Sequence, residues 1–216
     1  MSRFPEVVLA PPAWMETVLP PPETRFPRVE DRMGLVIRLA RENVRRGTGG
    51  PFGAAIFDLA THRLVAPGVN RVTTLGCSIL HAEIMAMATA QRIVGDYDLG
   101  TAGPDGAELA TSAEPCAMCF GAVPWSGVRR LVCGARDADA RAIGFDEGPK
   151  LADWIGALEG RGIAVVRDVL RPEAVAVLRE YAAGGGIIYN AGAGGESGES
   201  RFSPFVRTPT GRNPIP

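Results

Sequence analysis

Four side chains in two short runs could do chemistry together. His81 and Glu83 stand two apart in His81-Ala82-Glu83, and Cys116 and Cys119 stand three apart in Pro115-Cys116-Ala117-Met118-Cys119. Cysteines three apart lie on one side of a helical turn and can grip one ion. At a helix N-terminus, exposed N–H groups and the dipole favour thiolate over thiol. Zinc takes Cys and His ligands in a tetrahedral array, so His81, Cys116 and Cys119 supply three ligands and leave the fourth place to water. In mid-helix, residues two apart diverge by about 200°. In the first turn, side chains lean toward the N-terminus, so His81 and Glu83 can both address a point just beyond that end. Glu83 is then placed to handle the protons of a metal-bound water whose pKa falls to about 7.

Blander readings of the same residues explain less. A redox Cys-x-x-Cys lacks a thioredoxin-like context and leaves His81 and Glu83 without a role. A closed structural site, with Cys77 as the fourth ligand four residues before His81, strands Glu83 in the interior. A domain of this size also needs no metal staple. Cys77 and Cys133 read as small apolar fillers, and His62 as a solvated turn residue.

These side chains need rigid elements behind them. Met33, Leu35, Val36, Leu39, Ala40 and Val44 give a 3.6-residue stripe, so a helix is expected from about Asp31 to the stop at Gly47. Phe52 to Phe57 reads as a buried strand and Leu64 to Arg71 as its hairpin partner, with Pro67-Gly68 marking a bulge or an edge. Thr73 to Ser78 reads as a loop, and Leu80 to Val94 as a helix rich in Ala, Met and Ile ending at Gly95. A strand over 108–112, a helix over 115–125 opened by a proline, and a strand over 130–134 follow. Next come a short helix over 137–143, an acidic loop over 144–149, a helix over 151–158, a strand over 163–166 and a helix over 172–183. Helices alternating with short buried strands indicate an α/β layer fold with both sheet faces covered.

Composition sets the outer limits. The 216 residues suffice for one full domain, and 46% apolar with 22% charged residues is ordinary for a globular chain. A net charge of −1 argues against nucleic acid as the main partner, because neutralising phosphates takes a clustered Lys/Arg excess. Prolines interrupt the apolar stretches near the N-terminus, so neither a signal peptide nor a membrane span is expected and a cytoplasmic location is the default. Residues 1–30 hold seven of the 18 prolines and read as an extended arm. Residues 31–190 read as the domain proper, and 191–216 have the Gly/Ser/Pro-rich composition of a tail.

The chain resembles the cytidine/deoxycytidylate deaminase superfamily over roughly residues 31–190, and within it the bacterial guanine deaminases. The resemblance rests on Pro51-Phe52-Gly53-Ala54, Asn70, His81-Ala82-Glu83, Thr111 to Cys119, Gly121-Ala122-Val123 and Ala142 to Asp146. The H-x-E and P-C-x-x-C pair is specific to the superfamily. It implies a three-layer α/β/α fold around a mixed five-stranded sheet, one catalytic zinc, usually a homodimer, and hydrolytic replacement of an exocyclic amine by oxygen. In this chain His81, Cys116 and Cys119 would bind zinc and Glu83 would shuttle protons. Asn70 and the backbone N–H of Ala82 would hold the base. A C-terminal segment near Tyr189 and Asn190 would close the pocket, in some members that of the partner subunit.

The expected reaction is guanine to xanthine, with zinc hydroxide attacking C2. Asp146 is a candidate contact to the base, and Glu147 a second proton shuttle unless that loop is merely a solvated turn. Phe52 and Trp125 are candidate stacking walls. Alternatives are an aminotriazine such as ammeline, a nucleoside, adenosine in transfer RNA, or a non-catalytic zinc module. Pro124 departs from an ordinary helix end and is expected to kink the helix and move Trp125.

Overall fold

The computed structural model describes residue 4 and residues 7–190, so the tail expected over 191–216 lies outside it. The run after Phe52 forms β1 (Gly53–Asp58), and β2 (Leu64–Val69) pairs with it antiparallel. Next come β3 (Ala107–Ala113), β4 (Arg130–Ala135) and β5 (Ala164–Val166). The order is β2-β1-β3-β4-β5, with β3 antiparallel to β1 but parallel to β4, and β5 parallel to β4. This is the expected mixed five-stranded sheet.

Strand periodicity sorts the core into two layers. Ala55, Phe57, Ala110 and Val132 face one side, where they pack with α2 (Val29–Arg45) and α8 (Arg171–Ala183). Ala54, Ile56, Leu109 and Leu131 face the other, against α4 (Ala82–Val94), α5 (Ala117–Ser126) and α7 (Trp154–Glu159). Three layers, α/β/α, result. Two glycines set how closely the helices approach. A Cβ at Gly53 would stand 2.5 Å from the Val36 carbonyl of α2, and one at Gly68 would stand 2.2 Å from the Ala82 carbonyl of α4. Gly68 therefore seats the first turn of α4 directly on β2, beside Asn70.

Some local expectations need correction. Residues 73–78 are not all loop: Val72–Leu75 make a helical turn, α3, closed by Gly76 at φ 61°. Residues 99–101, between α4 and β3, form a 3₁₀ turn. The irregularity in the hairpin falls at Ile56/Phe57 rather than Pro67-Gly68; Pro67 sits in an edge strand, where a missing N–H is tolerated. The helix of α5 runs through Pro124 to Ser126. α1 (Met15–Val18), inside the proline-rich segment, places Met15 in the core at 2% exposure. α6 (Asp137–Ala142) completes the set among the described residues. Among the described residues no helix is long and apolar enough to cross a membrane.

A buried ion triad joins the N-terminal segment to the sheet. Glu108, fully buried on β3, accepts from Arg32 Nε at 2.6 Å and Arg130 Nε at 2.5 Å. Arg32 also donates to the Phe26 and Pro27 carbonyls. Removing the shared carboxylate leaves the buried Arg32 guanidinium without its counter-charge. Glu108→Ala is expected to cost about 3–5 kcal/mol in urea unfolding, and an unchanged midpoint would remove the triad from the account of stability.

Candidate active site

Two helix N-termini meet at one point. His81 is the N-cap of α4 and Cys116 the N-cap of α5, both with extended backbone (ψ 157° and 172°). Glu83 and Cys119 follow in the first turns. Cap geometry, rather than a place inside the first turn, turns the His81 and Cys116 side chains back over the helix ends. The ligand atoms of His81, Cys116 and Cys119 lie within 4.8 Å of one another, with Cys116 Sγ 3.5 Å from His81 Nδ1. Two ligands at about 2.3 and 2.0–2.1 Å in a tetrahedral array stand about 3.5 Å apart, so the donor set fits zinc in spacing and in type.

The electrostatics of the cluster are those of a cation site. The Cys116 thiol is pulled down to about 4 by hydrogen bonds from Cys119 and His81, while Cys119 is held as a thiol by sharing with Cys116 and by burial. His81 is raised despite its burial, because the Cys116 thiolate and nearby carboxylates favour the imidazolium. Glu83 is 6% exposed, and burial, aided by the Cys116 charge, pushes its carboxyl to about 7.

A cavity of about 240 Å³ opens on this cluster. Asn70, His81, Glu83, Glu114, Cys116 and Glu147 are among its polar lining groups. Phe52, Phe145 and Tyr189 make an aromatic wall, with Phe145 5.0 Å from Phe52 and 5.1 Å from Tyr189 between ring centres. Tyr189 and Asn190 line the cavity of their own chain, and Asn190 is tied down by hydrogen bonds with Gly144 O and Asp146 N. Glu147 is 7% exposed, so the acidic loop is not a solvated turn there. Burial and then the Cys116 and Glu83 charges push its carboxyl to about 8. Asp146 lines the cavity but is itself largely exposed, and it accepts from Gly148 N at 2.9 Å. Asn70 Nδ2 donates to the Tyr189 hydroxyl at 2.5 Å, and Asn70 Oδ1 accepts from Gly50 N and Val72 N, each at 3.3 Å.

Trp125 is a correction. It is 84% exposed near the end of α5, on a groove with Ile84, Met87 and Ala122, and it does not reach the cavity. Over two turns of helix separate it from Cys116, with Pro124 inside the helix between them. Ala82 is fully buried outside the cavity lining, so only its amide, at the free N–H end of α4, is available to a ligand. Phe145 lines the cavity from within the run Ala142 to Asp146, which named no role for it, and Ser78 lines it from a stretch read only as loop.

A family model for the cytidine and deoxycytidylate deaminase zinc-binding region matches residues 28–135. The chain belongs to the cytidine and deoxycytidylate deaminase family. The match contains Asn70, His81, Glu83, Cys116 and Cys119, and stops short of the loop with Glu147 and of Tyr189. As a member of this family the chain is a hydrolytic deaminase, and zinc is the metal its three donors suit. It is 40% identical to a guanine deaminase of Bacillus subtilis over 111 residues, 51% of this chain and 67% of that protein. The structure of a guanine deaminase from Nitrosomonas europaea superposes with TM-score 0.78 at 47% identity, covering 82% of this chain and 97% of the other. A variant protein solved with 8-azaguanine superposes with the same score and identity, over 82% and 98%.

Proposed function

We propose that this deaminase converts guanine to xanthine and ammonia. The observation that carries the reading is the cavity itself: about 240 Å³, below the roughly 300–1,000 Å³ of drug-sized pockets, with an aromatic wall and the buried carboxyls of Glu83, Glu114 and Glu147 beside one metal site. That volume and the closure by Tyr189 suit a free base better than a nucleoside. The named relatives, two guanine deaminases and a complex with a guanine analogue, support the same substrate.

In this reading His81, Cys116 and Cys119 hold zinc. Zinc held there would lower the pKa of a water and so supply the nucleophile for C2. Glu83 takes a proton from that water and passes it to a ring nitrogen, for which a carboxyl near neutrality is suited. Glu147, whose neutral form burial favours, gives a proton to the departing amine and recovers one from the hydroxyl left on C2, so that ammonia leaves as the carbonyl forms. Asn70 and the Ala82 amide bind the polar edge of the base. Phe52, with Phe145, lines its face, and Asp146 borders the mouth.

Ammonia release from guanine, adenine, cytosine, guanosine and ammeline by zinc-loaded protein tests this. Turnover of guanine with none of guanosine is expected, and no turnover of guanine would overturn the reading. Glu147→Gln is expected to lower kcat on guanine about 10²-fold or more with KM little changed. Unchanged kcat on every accepted base would remove Glu147 from the chemistry.

We infer that a second copy of the chain covers the exposed groove between α4 and α5, a reading supported by its apolar lining and by Trp125 at its rim. Sedimentation of Trp125→Arg against the parent protein tests the assignment: a dimer for the parent and a monomer for the variant are expected.

A further inference from the structure

The N-terminal segment reaches the cavity through an unbroken run of hydrogen bonds. Trp14, just before α1, donates from its indole Nε1 to Thr48 Oγ1 at 3.0 Å. The Thr48 hydroxyl in turn donates to Asn43 Oδ1 at 2.7 Å. Asn43, fully buried near the end of α2, spends both amide hydrogens on backbone carbonyls: Asn70 O at 2.8 Å and Gly50 O at 2.9 Å. Gly50 N then donates to Asn70 Oδ1, and Asn70 Nδ2 is the donor that points at Tyr189 in the cavity.

The run has one consistent direction. Thr48 has a single proton, and the Trp14 N–H occupies its oxygen, which leaves that proton for Asn43. With Oδ1 of Asn43 so engaged, its amide can only face the two carbonyls with N–H groups. Asn43 thus has its side-chain amide fully used. The space around the joint is also closed: a Cβ at Gly49 would fall 1.8 Å from Asn70 O and 2.9 Å from Asn43 Nδ2. Arg46 packs over the Trp14 ring at 5.4 Å, holding the indole at the start of the run.

We propose that the N-terminal arm belongs to the substrate-recognition apparatus: Trp14, acting through Thr48 and Asn43, sets where Asn70 presents its amide to the base. Trp14, Thr48 and Asn43 are positioning residues, since none of them lines the cavity. The proposal rests on the reading that Asn70 binds the base. Reacting atoms sit at the zinc and Glu83, so a displaced Asn70 weakens binding of the base with less effect on the chemical step.

Steady-state kinetics on guanine test this with four full-length, zinc-loaded variants beside the parent. Thr48→Val keeps the shape and removes the hydroxyl, and is expected to raise KM about fivefold or more with kcat within about twofold. Thr48→Ser, which restores the hydroxyl, is expected to return KM to the parent value. Trp14→Phe is expected to raise KM in the same direction as Thr48→Val. Asn70→Ala is the reference, expected to raise KM more than either. If Asn70→Ala leaves KM unchanged, Asn70 does not bind the base and the underlying reading fails. If Asn70→Ala raises KM but Thr48→Val and Trp14→Phe only lower the melting temperature, the arm is structural and this proposal fails.

Discussion

Glu83→Gln is expected to lower kcat on guanine by about 10³–10⁴-fold while the protein keeps its zinc and its fold. The substitution preserves size in a site where Glu83 is 6% exposed, so packing against the cavity wall survives. What disappears is the carboxylate in the first turn of α4 that is placed to accept a proton from water and return it to the base. The same change has an opposite effect on metal-free stability. Burial raises the Glu83 carboxyl to about 7, so its ionised form opposes folding. The sign follows: the penalty is absent below the unfolded carboxyl's pKa of about 4.3, grows as pH rises toward 7, and is complete above it. Metal-free Glu83→Gln is therefore expected to melt above the metal-free parent at pH 8, with the gap closing near pH 4. Zinc supplies a positive charge and shrinks the gap. Calorimetry at the two pH values, with and without chelator, checks the stability half, and steady-state assay with metal analysis checks the other. A variant with parent-like kcat would take Glu83 out of the chemistry.

Local pattern carried most of the fold because the two periods in this chain are clean. The run from Gly53 to Phe57 alternates between two sheet faces, and each face finds its own helical layer. The misses occur where the signal is shorter than one period. Val72–Leu75 is a single turn whose polar residues also suit a loop, and it forms because Gly76 takes a left-handed cap that only a glycine adopts at little cost. Met15 is one apolar residue among prolines, so nothing in its pattern marks it as core; its burial depends on tertiary contact with the α2–α8 layer.

The site was legible in its ligands and less so in its walls, for a related reason. His81, Cys116, Cys119 and Glu83 are types whose chemistry narrows their use, and their spacing already restricts geometry. Aromatic residues serve packing and recognition alike. Phe52 reaches the cavity and Trp125 does not, yet both flank motif residues. The difference lies in helix phase: Trp125 falls on the outer face of α5, while Phe52 immediately precedes the buried strand β1. Asn43 is the clearest omission. In sequence it is a polar interruption of an amphipathic stripe, and only the fold shows that its amide serves the backbone of Asn70.

Cys119→Ser is expected to reduce zinc from one ion per chain to well under half, with kcat at least about 10³-fold down, while secondary structure persists. Serine is a poor zinc ligand at neutral pH, and with two ligands left the ion has neither affinity nor fixed geometry. Without the metal an attacking water is no longer acidified to near neutrality, which Glu83 alone does not offset. The fold should survive because both helical layers rest on their own apolar clusters, and α4 and α5 pack in one of them through Ala86, Ala90 and Val123. A structural staple behaves differently, since its loss unfolds the domain it closes. Far-UV circular dichroism and zinc analysis of the same sample separate the two cases. Cys133→Ser is the matched control: Cys133 is fully buried in β4, and burial keeps it a thiol. That variant is expected to lose stability but hold its zinc. Full zinc occupancy in Cys119→Ser would overturn the ligand set, and collapse of its circular dichroism signal would recast the metal as a structural one.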